Sequence, residues 1–454
     1  MRARGPRLLA ALLGALLVAP ALGLAQEPSG KLARAIVEKL VAGQVSEVVA
    51  QFNPEMAAVL SERALKQTWD QLTATEGPVR GLGAPRTSRQ EDVTVTIVPV
   101  QFARTAFDIR VAVRAGRVAG LLISPVGPRA EPWNAPSYVD EAAFSETEVQ
   151  IGRAPLLLPG TLSLPRGRDR VPAVVLVHGS GPHDRNEAIG ANRPFQDLAQ
   201  GLASRGIAVL RYEKRTKVYP ERFAPAQRFT VREETMEDAA AAVLFLLSRT
   251  EIDARRVVLV GHSLGGTLAP RIAAEAPGIA GLVVLAGATR PIPDLLVEQI
   301  EYIGGLSGWP EAHMRETSAK LSTEAARARS AKPDDEGPPI LNCPPSYWAD
   351  LNAYDAAAAA AKLSLPMLIL QGGRDYQVTL QDLSRFKVAL AGQANATIRE
   401  LPRLNHLFMS GEGKSRPEEY DRPSHVDGEV IDAIAAFVTG GPSQVIWACG
   451  CAQK

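Results

Sequence analysis

Ser263, Asp375 and His406 have the residue types, and the order along the chain, that nucleophilic acyl chemistry requires. A serine hydroxyl is a weak nucleophile near neutral pH. It needs a base to take its proton, an acid to orient that base, and donors for the oxyanion that forms when a carbonyl is attacked. Ser263 lies in Gly261-His262-Ser263-Leu264-Gly265-Gly266, directly after the apolar run Val257-Val258-Leu259-Val260. A buried strand that turns without a spacer into a helix presents a hydroxyl on a sharp elbow, and the flanking glycines let strand and helix approach closely. His406, in Leu404-Asn405-His406-Leu407-Phe408, follows the last predicted strand and is the expected base. Asp375 follows the apolar strand Met367–Gln371 and two glycines, and is the expected acid. Asp382 is its rival, on the next predicted helix and expected to face water. An Asx turn is the other use for Asp375.

The oxyanion donors are expected from backbone. One is the N–H of Leu264, just after the nucleophile; the other is the N–H of Gly179 or Ser180, in the glycine-rich turn Val177-His178-Gly179-Ser180-Gly181-Pro182. No Gly-Lys-Ser/Thr follows those glycines, so a phosphate loop is not indicated. His178 is expected to hold the loop. Asp184, Arg185, Arg211 and Arg215 are expected to form an ion-pair network between adjacent loops.

The elements that must position these groups follow from periodicity. Past residue 144, two short strands (146–151 and 156–164) precede buried strands at 173–177, 207–211, 257–260, 281–286, 366–371 and 397–401, with helices between most of them and a closing helix over 426–438. That alternation predicts an α/β fold with a doubly wound, mostly parallel sheet. An insert over about 290–362 interrupts it, and its scattered Trp309, Met314, Tyr347 and Trp348 suggest a helical lid that shapes binding. Residues 26–127 differ: helical spacing over 30–70 predicts two or three amphipathic helices, and alternation over 93–123 predicts antiparallel strands. They form a small α+β domain, joined by a linker over 128–143 to the catalytic domain over 144–440.

Arg2, Arg4 and Arg7 precede an apolar run ending in small residues near Ala25, so residues 1–25 read as a cleaved secretory signal and the mature chain is expected to be secreted or periplasmic, with no stable membrane span. The formal net charge is +1, which carries no signature of nucleic-acid binding. Of three cysteines, Cys449 and Cys451 lie in a tail over 441–454, too few and too oddly placed for a disulfide framework or a metal site. No metal or organic cofactor is implied.

The chain order Ser263, Asp375, His406 is that of the α/β-hydrolases, which the sequence resembles over roughly 145–440. The stretches 178–187, 211–215, 261–266 and 371–378 are similar to a bacterial branch of serine esterases related to the serine-aminopeptidase and dienelactone-hydrolase groups. Residues 30–125 resemble an uncharacterised α+β domain found before such hydrolases. The resemblance implies a serine hydrolase cleaving small carboxylic esters through an acyl-enzyme. One alternative is a serine aminopeptidase-like peptidase, whose amine anchor would come from acids such as Glu298, Glu301 or Glu311. Another is a non-catalytic binding protein that keeps the fold.

Overall fold

The computed structural model describes residues 28–90, 92–125, 133–224 and 227–440. The signal expected over 1–25, the tail over 441–454 and Cys449 and Cys451 lie outside the described residues. The chain divides into two units, Met1–Ala130 and Glu131–Lys454.

In the first unit the helical pattern is cut into four pieces: α1 (Pro28–Val41), α2 (Val45–Val49), α3 (Pro54–Val59) and α4 (Glu62–Glu76). Two of the three cuts fall where Asn53 and Ser61 accept the Met56 and Ala64 N–H groups, at 2.8 and 3.2 Å, and so cap new helices. Five strands follow: β1 (Val79–Leu82), β2 (Arg86–Gln90), β3 (Val93–Phe102), β4 (Ala106–Arg114) and β5 (Arg117–Pro125). The sheet is antiparallel in the order β1-β3-β4-β5, with β2 also pairing β3. Alternate residues Val98 and Val100 of β3 and Ile109 and Val111 of β4 bury against Ile36, Val37 and Leu40 of α1. β1 and β2 carry no apolar alternation, which is why the sequence pattern passes over them.

The second unit is built on β6 (Phe144–Arg153), β7 (Leu156–Pro165), β8 (Val171–Val177), α5 (Pro194–Ala203), β9 (Ala208–Tyr212), α6 (Arg215–Val218), α7 (Glu237–Leu247), β10 (Ile252–His262), α8 (Leu264–Glu275) and β11 (Ile279–Leu285). The insert supplies α9 (Ile292–Ser307), α10 (Glu311–Ser330), α11 (Pro345–Asn352) and α12 (Ala356–Ala360), before β12 (Met367–Gly372), α13 (Leu380–Ala389), β13 (Ala396–Leu401) and α14 (Gly428–Thr439) close the unit. The eight strands run in the order β13-β12-β11-β10-β8-β9-β7-β6. All pairs are parallel except β6 with β7 and β7 with β9. The uninterrupted apolar runs fill both faces: Val257 and Leu259 of β10 pack with α7 and α8, whereas Val258 and Val260 pack with α5 and α14. This is the doubly wound sheet that the alternation predicts.

Two boundaries differ from expectation. Residues 133–143, expected as linker, are tied to the catalytic unit: the Trp133 indole donates to Asp197 at 2.9 Å and the Tyr138 hydroxyl to the Val426 carbonyl at 2.8 Å. The insert, expected as one cover, has two natures. Trp348 is only 3% exposed and sits in the main core with Tyr347, its indole donating to the Ile340 carbonyl at 2.7 Å. The α11–α12 segment is therefore core structure, and Trp348 is a packing residue rather than part of a mobile cover. α9 instead lies on the Asp375 loop: Tyr302 stacks on Tyr376 with ring centroids 4.9 Å apart, and Gln299 donates to the Gln377 carbonyl at 3.1 Å.

Candidate active site

Ser263 sits between β10 and α8 with φ 52° and ψ −115°. A β-carbon avoids that region unless its surroundings impose it, and here the backbone is fixed on both sides. The Ser263 N–H donates to the Leu285 carbonyl at 2.9 Å, and the Ser263 carbonyl accepts the Thr267 N–H at 2.8 Å. Gly261 and Gly265 make the elbow possible. A β-carbon on Gly261 would run into the Gly265 backbone, and one on Gly265 into the Val177 carbonyl. The serine side chain makes no capping bond to α8 and is half-buried.

Asp375 and His406 are brought together from two separate loops at the carboxyl edge of the sheet. Asp375 Oδ2 lies 2.7 Å from His406 Nδ1, and both side chains are almost fully buried. The other carboxylate oxygen accepts the N–H groups of Gln377 and Val378 at 2.7 and 3.0 Å. Asp375 thus makes the Asx turn and holds the histidine at once, one oxygen for each. His406 is set by its neighbour: Asn405 Oδ1 accepts the Leu407 and Met409 N–H groups at 3.0 and 3.1 Å and closes the loop. The loop is pinned to the elbow as well, because His262 Nε2 donates to the His406 carbonyl at 2.9 Å.

Asp382 does not face water. It is fully buried and completes a capping box with Thr379 at the start of α13. It also accepts the Thr289 and Arg290 N–H groups at 2.8 and 3.0 Å and pairs with the Arg290 guanidinium at 2.9 Å. Its partners are the β11–α9 connection and its own helix, not His406.

In the loop after β8 the Gly179 N–H is given to Glu187 Oε1 at 2.6 Å, so of the two expected donors Ser180 is the remaining candidate. Leu264 is the first residue of α8, a position where an N–H has no intrahelical acceptor. Gly179 itself faces the serine: a β-carbon there would lie 3.0 Å from Ser263 Cβ and 3.5 Å from its Oγ.

Residues 174–422 match the family described as the alpha/beta hydrolase family. The chain belongs to that family. It is 36% identical over 403 residues to esterase EstD of Thermotoga maritima, an overlap of 88% of this chain and 93% of the relative. Residues 33–121 match a family described as a protein of unknown function (DUF3887). Among solved structures, Pyrococcus furiosus esterase Pf2001 is 16% identical with a TM-score of 0.42, covering 68% of this chain and 96% of that one. Est1E from Butyrivibrio proteoclasticus is 18% identical with a TM-score of 0.42, covering 64% and 96%. This alpha/beta hydrolase is a carboxylic ester hydrolase. Among its described residues no group of three or more His, Cys, Asp or Glu could hold a metal ion, and no helix is long and apolar enough to cross a membrane.

The charged residues of the shared stretches are structural ties. Arg185 pairs with Glu148 and Glu213 at 2.6 and 2.9 Å, Arg211 with Glu146 at 2.7 Å, and Arg215 with Asp238 and Glu237 at 2.5 and 2.8 Å. Among the described residues Asp184 joins no ion pair; it accepts the Asn186 and Ala188 N–H groups at 3.0 Å. His178 holds the loop by donating to the Asp184 carbonyl at 3.0 Å, and burial pushes its pKa down to about 3, so it stays neutral.

Sequence reasoning missed Glu187. This buried residue has φ 49° and lies in the loop after β8 with Oε2 2.8 Å from His262 Nδ1. Burial works against its charge, but His262 holds its pKa below the usual carboxylate value. Burial likewise opposes the charge on His262, while Glu187, the His406 carbonyl and Asp375 hold its pKa above the usual imidazole value. The pair links the loop after β8 to the elbow at Ser263 and, through the His406 carbonyl, to the loop after β13. The depressed Glu187 contributes stability that is present above the ordinary glutamate value and lost as pH falls. The raised His262 contributes stability that is present below the ordinary histidine value and lost as pH rises through its folded pKa. Glu187→Gln, which leaves His262 without its partner, is therefore expected to cost about 3–5 kcal/mol. The Tm deficit against wild type should be widest between about pH 4.5 and 6.5 and shrink on both sides. A deficit that stays constant across a pH series of melting curves would show that the charge pair is not what Glu187 contributes.

Proposed function

We propose that the hydrolase cleaves small carboxylic esters by way of an acyl-enzyme on Ser263. Ser263 Oγ attacks the ester carbonyl while His406 takes its proton, and the N–H groups of Leu264 and Ser180 receive the developing oxyanion. Collapse breaks the bond to the alcohol oxygen, which leaves with the proton from His406. Water then attacks the acyl group with His406 again as base and frees the acid. Asp375 keeps the proton on Nδ1 of His406, so that Nε2 is the acceptor. The observation that carries this reading is the 2.7 Å contact between Asp375 and a histidine whose own backbone is tied to the residue preceding Ser263.

Ester hydrolysis is favoured over cleavage next to a free amino terminus because the insert acids are engaged elsewhere. Glu298 pairs with Arg290 at 2.6 Å, Glu301 accepts the Ser318 hydroxyl at 2.6 Å, and Glu311 pairs with Arg315 at 2.5 Å. The test is a matched pair of substrates, p-nitrophenyl acetate and aminoacyl p-nitroanilides, with acid quenching to trap acylated protein. We expect turnover of the ester and an acetyl group on the peptide containing Ser263, with kcat/KM for the anilides lower by at least about 10²-fold. Faster anilide turnover would favour the peptidase, and ester turnover without a trapped acyl group would count against the covalent route.

A further inference from the structure

The stretch Arg211-Tyr212-Glu213-Lys214-Arg215 carries one cation that the surface network does not absorb. Lys214 is 2% exposed, an unusual position for an ammonium group. Its Nζ makes two short contacts, one to Glu234 Oε1 at 2.7 Å and one to the Gly179 carbonyl at 2.7 Å. Glu234 is itself buried and sits in a π-helical turn over Arg232–Met236, just before α7. Such turns interrupt regular helices and recur beside functional sites.

The carbonyl that Lys214 holds belongs to the peptide unit whose N–H is that of Ser180. The peptide is trans, so its C=O and N–H point in opposite directions, and fixing one fixes the other. The preceding N–H, that of Gly179, is held by Glu187 at 2.6 Å. Gly179 is thus gripped by a carboxylate on its amide and by an ammonium group on its carbonyl, against the nucleophile: a β-carbon there would lie 3.5 Å from Ser263 Oγ. A cation on a peptide oxygen also draws electron density from the nitrogen and strengthens the N–H as a donor, an effect that hydrogen-bonded chains in a low-dielectric interior amplify.

We propose that Lys214 is a positioning residue for the oxyanion site, aiming and polarising the Ser180 N–H through the Gly179–Ser180 peptide, with Glu234 holding the ammonium group in place. This rests on the serine-hydrolase reading above. Lys214 touches neither substrate nor nucleophile; it acts on one of the two donors that must meet charge in the transition state and meet little in the ground state.

The experiment compares Lys214→Met and Lys214→Arg with wild type on p-nitrophenyl acetate, normalised by fluorophosphonate titration of Ser263. It also measures inhibition by an alkyl trifluoromethyl ketone, whose adduct with the serine carries the same oxyanion. We expect Lys214→Met to lower kcat about 10- to 100-fold, less than loss of a direct oxyanion donor, with KM within about threefold of wild type. The affinity for the ketone should fall by the same factor as kcat/KM, and Lys214→Arg should recover most of both. A merely structural lysine would instead lower the titre of labelled serine and leave kcat per site and ketone affinity unchanged, and that result overturns the proposal. If Lys214→Met does not fold, Glu234→Gln carries the same test: linked losses support the proposal, and unlinked or absent losses overturn it. Failure of wild-type Ser263 to label at all would remove the underlying reading, a result separable from every outcome for the lysine.

Discussion

Ser263→Ala is expected to abolish labelling by a fluorophosphonate and to lower kcat for p-nitrophenyl acetate by about 10⁴- to 10⁶-fold. The size of the loss follows from the division of labour: without the hydroxyl no acyl-enzyme forms, and the backbone donors and His406 can only assist a water molecule. The fold should survive. The serine side chain makes no capping bond to α8, and the elbow is held by backbone contacts to Leu285 and Thr267 that alanine keeps. Alanine also carries the same β-carbon at φ 52°, so the backbone strain is not altered. Measurement needs intact-protein mass after labelling, the melting temperature and initial rates. A folded Ser263→Ala protein that still turns over the ester within tenfold of wild type would exclude Ser263 as the nucleophile.

The parts of the fold that the sequence makes visible are those where one physical demand dominates. Strands buried on both faces must be continuously apolar, so Val171–Val177 and Val257–Val260 announce themselves, and the elbow glycines mark where backbones nearly touch. Where two demands share the same residue type, the pattern is silent. Trp348 in a proline-rich insert reads the same whether it covers a site or fills a core, and only its burial decides. Asp382 on an amphipathic helix looks like a solvent-facing acid. The one clue to its burial is the spacing Thr379-x-x-Asp382, which marks a capping box at a helix start.

The second tier of the site is hidden for a different reason. Glu187 and His262 are far apart in the chain, as are Lys214 and Glu234, and no periodicity relates their members. Their pairing depends on how the loops after β8, β9 and β10 meet at the carboxyl edge of the sheet. The tension shows only once the backbone is known: Glu187 at φ 49° is a conformation that a glutamate adopts when its surroundings require it. Ser263, Asp375 and His406 stand out in the sequence by motif and chain order, whereas Glu187, Lys214 and Glu234 do not.

Asp375→Asn should separate the two buried acids, and the hydrogen bonds dictate how. Asp375 Oδ1 accepts two backbone N–H groups, from Gln377 and Val378, so the amide oxygen of an asparagine must take that place. Its NH2 then stands where Oδ2 was, opposite the Gln371 amide that donates to Oδ2 at 2.9 Å and opposite His406 Nδ1. Facing a donor, His406 can only present Nδ1 as an acceptor, which moves its proton to Nε2 and leaves nothing to receive the proton of Ser263. The expected result is a kcat lower by about 10⁴-fold, with a modest stability loss from the two opposed amides. Asp382→Asn should do the reverse. It removes the charge facing Arg290 in a fully buried position, so stability should fall by about 3–5 kcal/mol while kcat per labelled serine stays within a few-fold of wild type. The discriminating measurement is kcat per titrated active site alongside Tm for both variants. A large kcat loss in Asp382→Asn with near-normal Asp375→Asn would transfer the orienting role to α13 and require His406 to leave the loop contact that now holds it.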